Sequence, residues 1–296
     1  MKTFTKESLL QITTWIEETL KSSHKIEFIV PNPDASTNNM GYKAWVNLAE
    51  LHFCKILTPQ KISESEILLT FQKLNIEDSF HTAAIESREE KYGVDSKFFT
   101  INKNEEPTFL HAYKRALESV KIETRKQVLN LGVNKADEFE LIRTIVKTNN
   151  FDNINFVGID HSASALNFAE KRFPKENVQF YQHDINKIST LNLPKSDLII
   201  SIGTLQSPSI NYKPFLMSLV QEHLTHNGAL ILGFPNARWI DSELIYGAKA
   251  PNYPYSEMSL LFNDVIFAKK YLQQKKFRVT LTGREYIFVT ATKIGL

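Results

Sequence analysis

The chain of 296 residues carries 35 basic and 33 acidic side chains, a formal net charge of +2, so no overall field draws it toward nucleic acid or an anionic membrane. At 42% hydrophobic and 23% charged it has the makeup of a globular protein with a sizeable core, in one large domain or two modest ones. The single cysteine, Cys54, excludes an internal disulfide framework and any multi-cysteine zinc or iron–sulfur site, and its neighbours Leu51 and Phe53 mark it as a buried thiol. No metal site is expected.

Charged and polar residues interrupt the apolar ones in MKTFTKESLLQITTWIEETL, which fits neither a signal peptide nor a membrane span, and a cytoplasmic protein is expected. From Lys6 to Leu20 the residues Leu9, Leu10, Ile12, Trp15, Ile16 and Leu20 fall at helical spacing, with Thr5 as N-cap. The β-type run KIEFIV ends in Pro31-Asn32-Pro33-Asp34, and Ala35 to Gly41 has the makeup of an exposed loop. Tyr42 to Phe53 sets Trp45, Leu48, Ala49 and His52 on one helix face. The β-rich runs CKILTP and EILLTFQKL are placed to pair as a hairpin. Glu77 to Glu106 is polar and charged with isolated aromatics, which predicts a boundary. Residues 1–106 are then an N-terminal accessory domain of α+β character.

After Pro107 helices alternate with short apolar strands. Helix FLHAYKRALESV leads to strand QVLNLGV, helix DEFELIRTIVKT, strand NINFVGID, helix SASALNFAEKRF, strand VQFYQHD and strand SDLIISIG. Helix YKPFLMSLVQEHL, strand GALILGF, a long irregular stretch and helix MSLLFNDVIFAKKYLQQ follow. The alternation predicts an α/β fold, a doubly wound and mostly parallel sheet with helices on both faces. The last two runs, FRVTLTG and EYIFVTATK, are separated by so little that they predict an antiparallel C-terminal hairpin.

In order and in its reversed last strand, this part of the chain resembles the class I S-adenosylmethionine-dependent methyltransferases, a Rossmann-like family, over roughly residues 107–296. The resemblance implies a seven-stranded sheet, S-adenosyl-L-methionine as cofactor and methyl transfer as activity. The family's first strand ends in E/D-x-G-x-G-x-G, and the aligned residues here are Asn130, Gly132, Asn134 and Ala136. Only the first glycine is kept. Asparagine is among the few residues that accept left-handed dihedrals, and alanine is the smallest substitute for glycine, so the loop shape is expected to survive.

The family's second strand ends in an acidic residue that takes the ribose hydroxyls; here FVGID ends in Asp160, followed by His161 and Ser162. A carboxylate at a strand's carboxyl end accepts both hydroxyls of a diol. Asp184, followed by Ile185, matches the acidic residue near the adenine amino group, and Ser201 opens the segment expected beside the methionine part. Read without that company, Asp160 is a helix N-cap for which Ser162 is better placed, and Asp184 is a turn former before Asn186. Upstream, Phe109, Tyr113 and Arg115 lie on a helix that in many family members closes over the cofactor.

The stretch PNARWIDSELIYGAKAPNYPYSE is too long for a simple connection, and such loops are usually lids or binding loops. By analogy with the family it lies over the acceptor, with Asn236, Arg238, Trp239, Asp241, Tyr246 and Tyr253 as candidate contacts. No residue stands out as a catalytic base. The sequence names no acceptor among small molecules, proteins and RNA; nucleic acid is possible but not indicated by net charge, and no membrane partner is expected. Two other readings stand beside the enzyme: a non-catalytic binding or scaffold module on a degenerate methyltransferase fold, with an occluded cleft, and an NAD-dependent oxidoreductase. The terminal hairpin and the missing Rossmann glycines count against the latter.

Overall fold

The computed structural model describes residues 1–78, 90–247 and 258–295. The chain divides into two compact units, one of Met1–Thr82 with Trp239–Ile245, the other of Ala83–Arg238 with Tyr246–Leu296. No helix among the described residues is long and apolar enough to cross a membrane.

The N-terminal unit runs β1 (Lys2–Thr3), α1 (Leu9–Ser22), β2 (Lys25–Pro31), α2 (Tyr42–Leu51), β3 (Cys54–Ile56), β4 (Gln60–Lys61) and β5 (Glu66–Lys73). Its sheet has the order β1-β2-β5-β3, with β4 also on β5. The expected hairpin is present, since β3 pairs antiparallel with β5. The start of α1 differs from the expectation. Ser8 rather than Thr5 is the N-cap: its Oγ accepts from Gln11 N, and Gln11 Oε1 accepts from Ser8 N at 2.8 Å, a reciprocal box that Thr5 lacks the spacing to form. Trp45, Leu48 and Ala49 are buried as read, while α2 stops at Leu51 and His52 becomes its C-cap. The core closes around Phe28, whose ring meets that of Phe71 edge to face at 5.1 Å. Cys54 is buried there, and burial pushes its thiol up to about 11.

The second unit opens with the short helices α3 (Lys97–Thr100) and α4 (Pro107–Ser119). Then come β6 (Gln127–Leu131), α5 (Asp137–Ile145), α6 (Thr148–Phe151), β7 (Asn155–Asp160), α7 (Ala163–Arg172), β8 (Val178–Gln182) and β9 (Ser196–Ile202). Next are α8 (Tyr212–Ser218) and β10 (Leu224–Pro235), then β11 (Ala237–Ile240) and β12 (Glu243–Tyr246), which fall mostly to the N-terminal unit, and then α9 (Ser259–Gln274), β13 (Phe277–Gly283) and β14 (Tyr286–Lys293). The seven-stranded sheet has the order β13-β14-β10-β9-β6-β7-β8. The strands from β10 to β8 are parallel, and β14 lies antiparallel between β10 and β13, which is the predicted doubly wound sheet with its closing hairpin.

Alternation along the strands builds two cores. Val128, Phe156, Leu198, Ile200 and Ile231 face α4, α5 and α7, while Leu129, Val157, Ile199, Leu230 and Leu232 face α8 and α9. Each such side chain contributes about 1.5–3 kcal/mol on burial. These strands are buried on both faces, which explains their continuous apolar runs. Two details were not expected. The helix predicted through Leu224 leaves α geometry after Ser218 for one π turn, Leu219–His223, with Leu224 already in β10, and part of the irregular stretch is a hairpin of β11 and β12.

Candidate functional site

The order of strands reverses at β6, with β7 and β8 on one side and β9 and β10 on the other, and crevices for ligands form outside the carboxyl ends at such a point. After β6 the chain takes three left-handed residues in five: Gly132 at φ 72°, Asn134 at 45° and Ala136 at 62°. Gly132 is required there on two grounds, since a Cβ would come within 2.0 Å of Thr204 Oγ1 and its φ strains any side-chain-bearing residue. Asn134 and Ala136 hold glycine-like dihedrals, as expected. Ala136 caps α5 from that conformation.

Asp160, 5% exposed at the end of β7, ties this loop down. Its Oδ2 accepts from Asn134 N at 2.9 Å and its Oδ1 from Ser162 N at 3.1 Å. A carboxylate has about four acceptor sites, so roughly two remain for a diol. Ser162 Oγ caps α7 by accepting from Ala165 N at 3.2 Å. The ring of His161 lies beside this carboxylate, its Nδ1 3.6 Å from Asp160 Oδ1, and edge-on to Tyr92.

The other cofactor candidates lie at neighbouring strand ends. Asp184 is exposed and caps the turn that follows β8, accepting from Asn186 N at 2.9 Å, while Ile185 is buried. Asn130 is buried in β6, and its Nδ2 donates to Glu138 Oε2 at 3.4 Å. Ser201 Oγ donates to Leu131 O at 3.2 Å. Phe109 and Tyr113 belong to the core under α4, where Tyr113 stacks on Phe288.

Sequence reasoning missed a strap, residues 90–105, that is hydrogen bonded to the loop. Asn134 Nδ2 donates to Tyr92 O at 2.7 Å, and Lys135 Nζ donates to Phe99 O at 2.6 Å and Ile101 O at 2.8 Å. Asn104 Nδ2 in turn donates to Asp137 O at 2.9 Å. At the other end Ser162 and Ser164 hydroxyls donate to the Glu90 carboxylate. Burial opposes the charge on Glu90, but these bonds hold its pKa below the ordinary value. Tyr92 is pushed up by burial and by Asp160. Backbone carbonyls carry most of these contacts, and they leave no mark in a sequence.

The candidate acceptor residues are dispersed. Asn236 is buried and donates from Nδ2 to Arg284 O at 3.0 Å, while its N donates to Glu285 O. Arg238 stands on β11, its pKa lowered by burial. Trp239 and Asp241 belong to the N-terminal unit, where Asp241 N donates to Asp78 O and Asp241 Oδ2 accepts from Asn75 N. Tyr246 is 40% exposed and its hydroxyl meets Met258 Sδ at 3.4 Å. Tyr253 lies outside the described residues.

Residues 122–278, more than half of the chain, match a family model described as a methyltransferase domain. Among solved structures, the plantazolicin methyltransferase BpumL shares 20% identity over 44% of this chain and 47% of its own, with a TM-score of 0.35. Coclaurine N-methyltransferase shares 19% over 41% and 34%, at 0.33. The N-methyltransferase NodS from Bradyrhizobium japonicum WM9 shares 14% over 69% and 94%, at 0.45. The chain thus spans about half the length of the first and a third of the second. At such values none of the three carries an argument about what this chain acts on. Comparison with curated proteins finds no match.

Proposed function

Because the chain belongs to the S-adenosylmethionine-dependent class I methyltransferase family, we propose that it is an enzyme that moves a methyl group from that cofactor to an acceptor. The observation that carries this reading is the loop at the switch point. Three left-handed residues reproduce the backbone of a glycine-rich loop, and it is fastened to a carboxylate with acceptor capacity to spare. These residues fit the group.

In this reading Asp160 accepts the ribose hydroxyls, Gly132 to Ala136 bring backbone close to the cofactor, and Asp184 with Ile185 borders the adenine. The bound cofactor supplies an electrophilic methyl on a sulfonium. The chain's own contribution is positioning, which for an in-line displacement supplies much of the rate. A base is needed only if the acceptor must lose a proton. We place Arg238 and Tyr246 beside the acceptor and give the N-terminal unit the task of selecting it among small molecules, proteins and RNA.

One observation favours a second reading, a binding or scaffold module without catalysis: the side chains of Asn134 and Lys135 are committed to the strap. Calorimetry with S-adenosylhomocysteine separates the two. The enzyme reading expects binding that Asp160→Ala abolishes; no heat and no thermal shift at millimolar ligand sinks it and leaves the scaffold.

A further inference from the structure

Near the carboxyl ends of β6 and β9 stand a cation without a close partner, Lys103, and an anion, Glu138, whose side-chain hydrogen bond comes from Asn130. Lys103 Nζ lies 3.9 Å from where a Cβ on Gly203 would stand, just past β9, and over the rings of Phe98 at 5.5 Å and Tyr286 at 5.7 Å. Among the described residues no carboxylate comes within ion-pair distance of this ammonium and no acceptor within hydrogen-bond distance. Glu138, on the first turn of α5, is 5% exposed, and its side-chain partner is Asn130 Nδ2 at a long 3.4 Å. Burial raises the Glu138 pKa against the pull of Lys103. Burial also opposes the charge on Lys103, but Tyr286, Glu138, Asp137 and Tyr92 outweigh it and raise its pKa. An ammonium taken out of water without a close partner, and a buried carboxylate held by a long side-chain hydrogen bond, are costly to hold in a fold, and a ligand of opposite pattern relieves that cost.

We propose that Lys103 and Glu138 read the amino-acid end of the cofactor, Lys103 taking its α-carboxylate and Glu138, steadied by Asn130, its α-ammonium. A zwitterion presents one charge of each sign a few bonds apart, and the crevice presents the complement. This assignment rests on the cofactor reading above and adds residues that no glycine-loop pattern contains. It also gives the strap a role, since Lys103 is carried there by residues 90–105 and enters the crevice only while Asn134, Lys135 and Asn104 hold that segment down.

The test compares S-adenosylhomocysteine with 5′-methylthioadenosine, which has the nucleoside but lacks the amino-acid end, by calorimetry on the full chain. The wild type is expected to prefer S-adenosylhomocysteine by about 30-fold or more. Lys103→Met should weaken that ligand about 10- to 100-fold and leave 5′-methylthioadenosine within about twofold, the range of a charge-assisted hydrogen bond. Glu138→Gln keeps the shape and the Asn130 contact, should act the same way by a smaller factor, and decides alone if Lys103→Met melts below the assay temperature. Equal weakening of both ligands, or a wild type without preference, overturns the assignment while the cofactor reading stands. A wild type that binds neither ligand overturns both.

Discussion

The backbone N–H of Asn134 donates to Asp160 Oδ2 at 2.9 Å, so the turn after β6 and the carboxylate at the end of β7 form one unit across 26 residues of chain. Replacing Asp160 with Asn keeps one oxygen and replaces the other with an amide donor facing donors. We expect S-adenosylhomocysteine affinity to fall about 10- to 100-fold and stability by about 1–3 kcal/mol, measured by calorimetry and urea melts. Wild-type affinity in this variant would remove Asp160 from the site.

Gly132→Ala places a methyl against Thr204 and a side chain at φ 72°. The two penalties separate in a double-mutant cycle. The single change should cost about 2 kcal/mol or more, and the cost should shrink in the Thr204→Gly background but stay near 1 kcal/mol, the residue of backbone strain. Additive costs would mean that the contact with Thr204 plays no part.

Ala136 holds its left-handed conformation fully buried, so strain and packing oppose each other. The left-handed region costs an alanine about 1–2 kcal/mol, while its methyl is worth about 0.8 kcal/mol. Ala136→Gly is therefore expected to stabilise by up to about 1 kcal/mol in denaturant melts. A loss of stability would show that the methyl's packing dominates.

The strap is anchored by few bonds, each worth about 1 kcal/mol. Lys135→Met removes two of them. Trypsin should then cut after Lys91, Lys97 or Lys103 several-fold faster, with the fragments read by mass, because local opening sets the rate when closing is fast. Saturating S-adenosylhomocysteine should slow the cut in the wild type.

Cys54 titrates at about 11 in the folded chain, raised by burial above its free value. At pH 8 about 0.1% is thiolate, against roughly a quarter in the unfolded chain, so iodoacetamide should label the native protein on the order of 100-fold more slowly. A raised pKa stabilises the fold below the unfolded value, and that share is lost as pH climbs through 11. Fast native labelling would contradict the burial of this thiol.

The sheet was legible because its strands are buried on both faces. Leu198 to Ile202 can read only as a strand or a short buried helix, and the alternation with amphipathic segments decides which. Asp160 and the dihedrals of Asn134 were legible for the same kind of reason, since few residues tolerate those places. The β11–β12 hairpin was not. Its turn is made by Asp241 at φ 48° and Ser242 at φ 66°, and it lacks the glycine that usually signals such a reversal. Glu138 hid on the buried side of α5 as an acid in an acidic first turn, where interaction with the helix dipole is sufficient explanation. Lys103 hid in a polar stretch read as a boundary.

Asn134 and Lys135 shape the loop and also fasten the strap, and the second duty needs side chains that glycine lacks. Glycine at 134, where the family pattern has one, would ease the backbone and release Tyr92; methionine at 135 would release Phe99 and Ile101. The latch therefore hangs on the cradle: a side chain chosen at 134 for the turn alone, or at 135 for the surface alone, loosens the segment that lies over them.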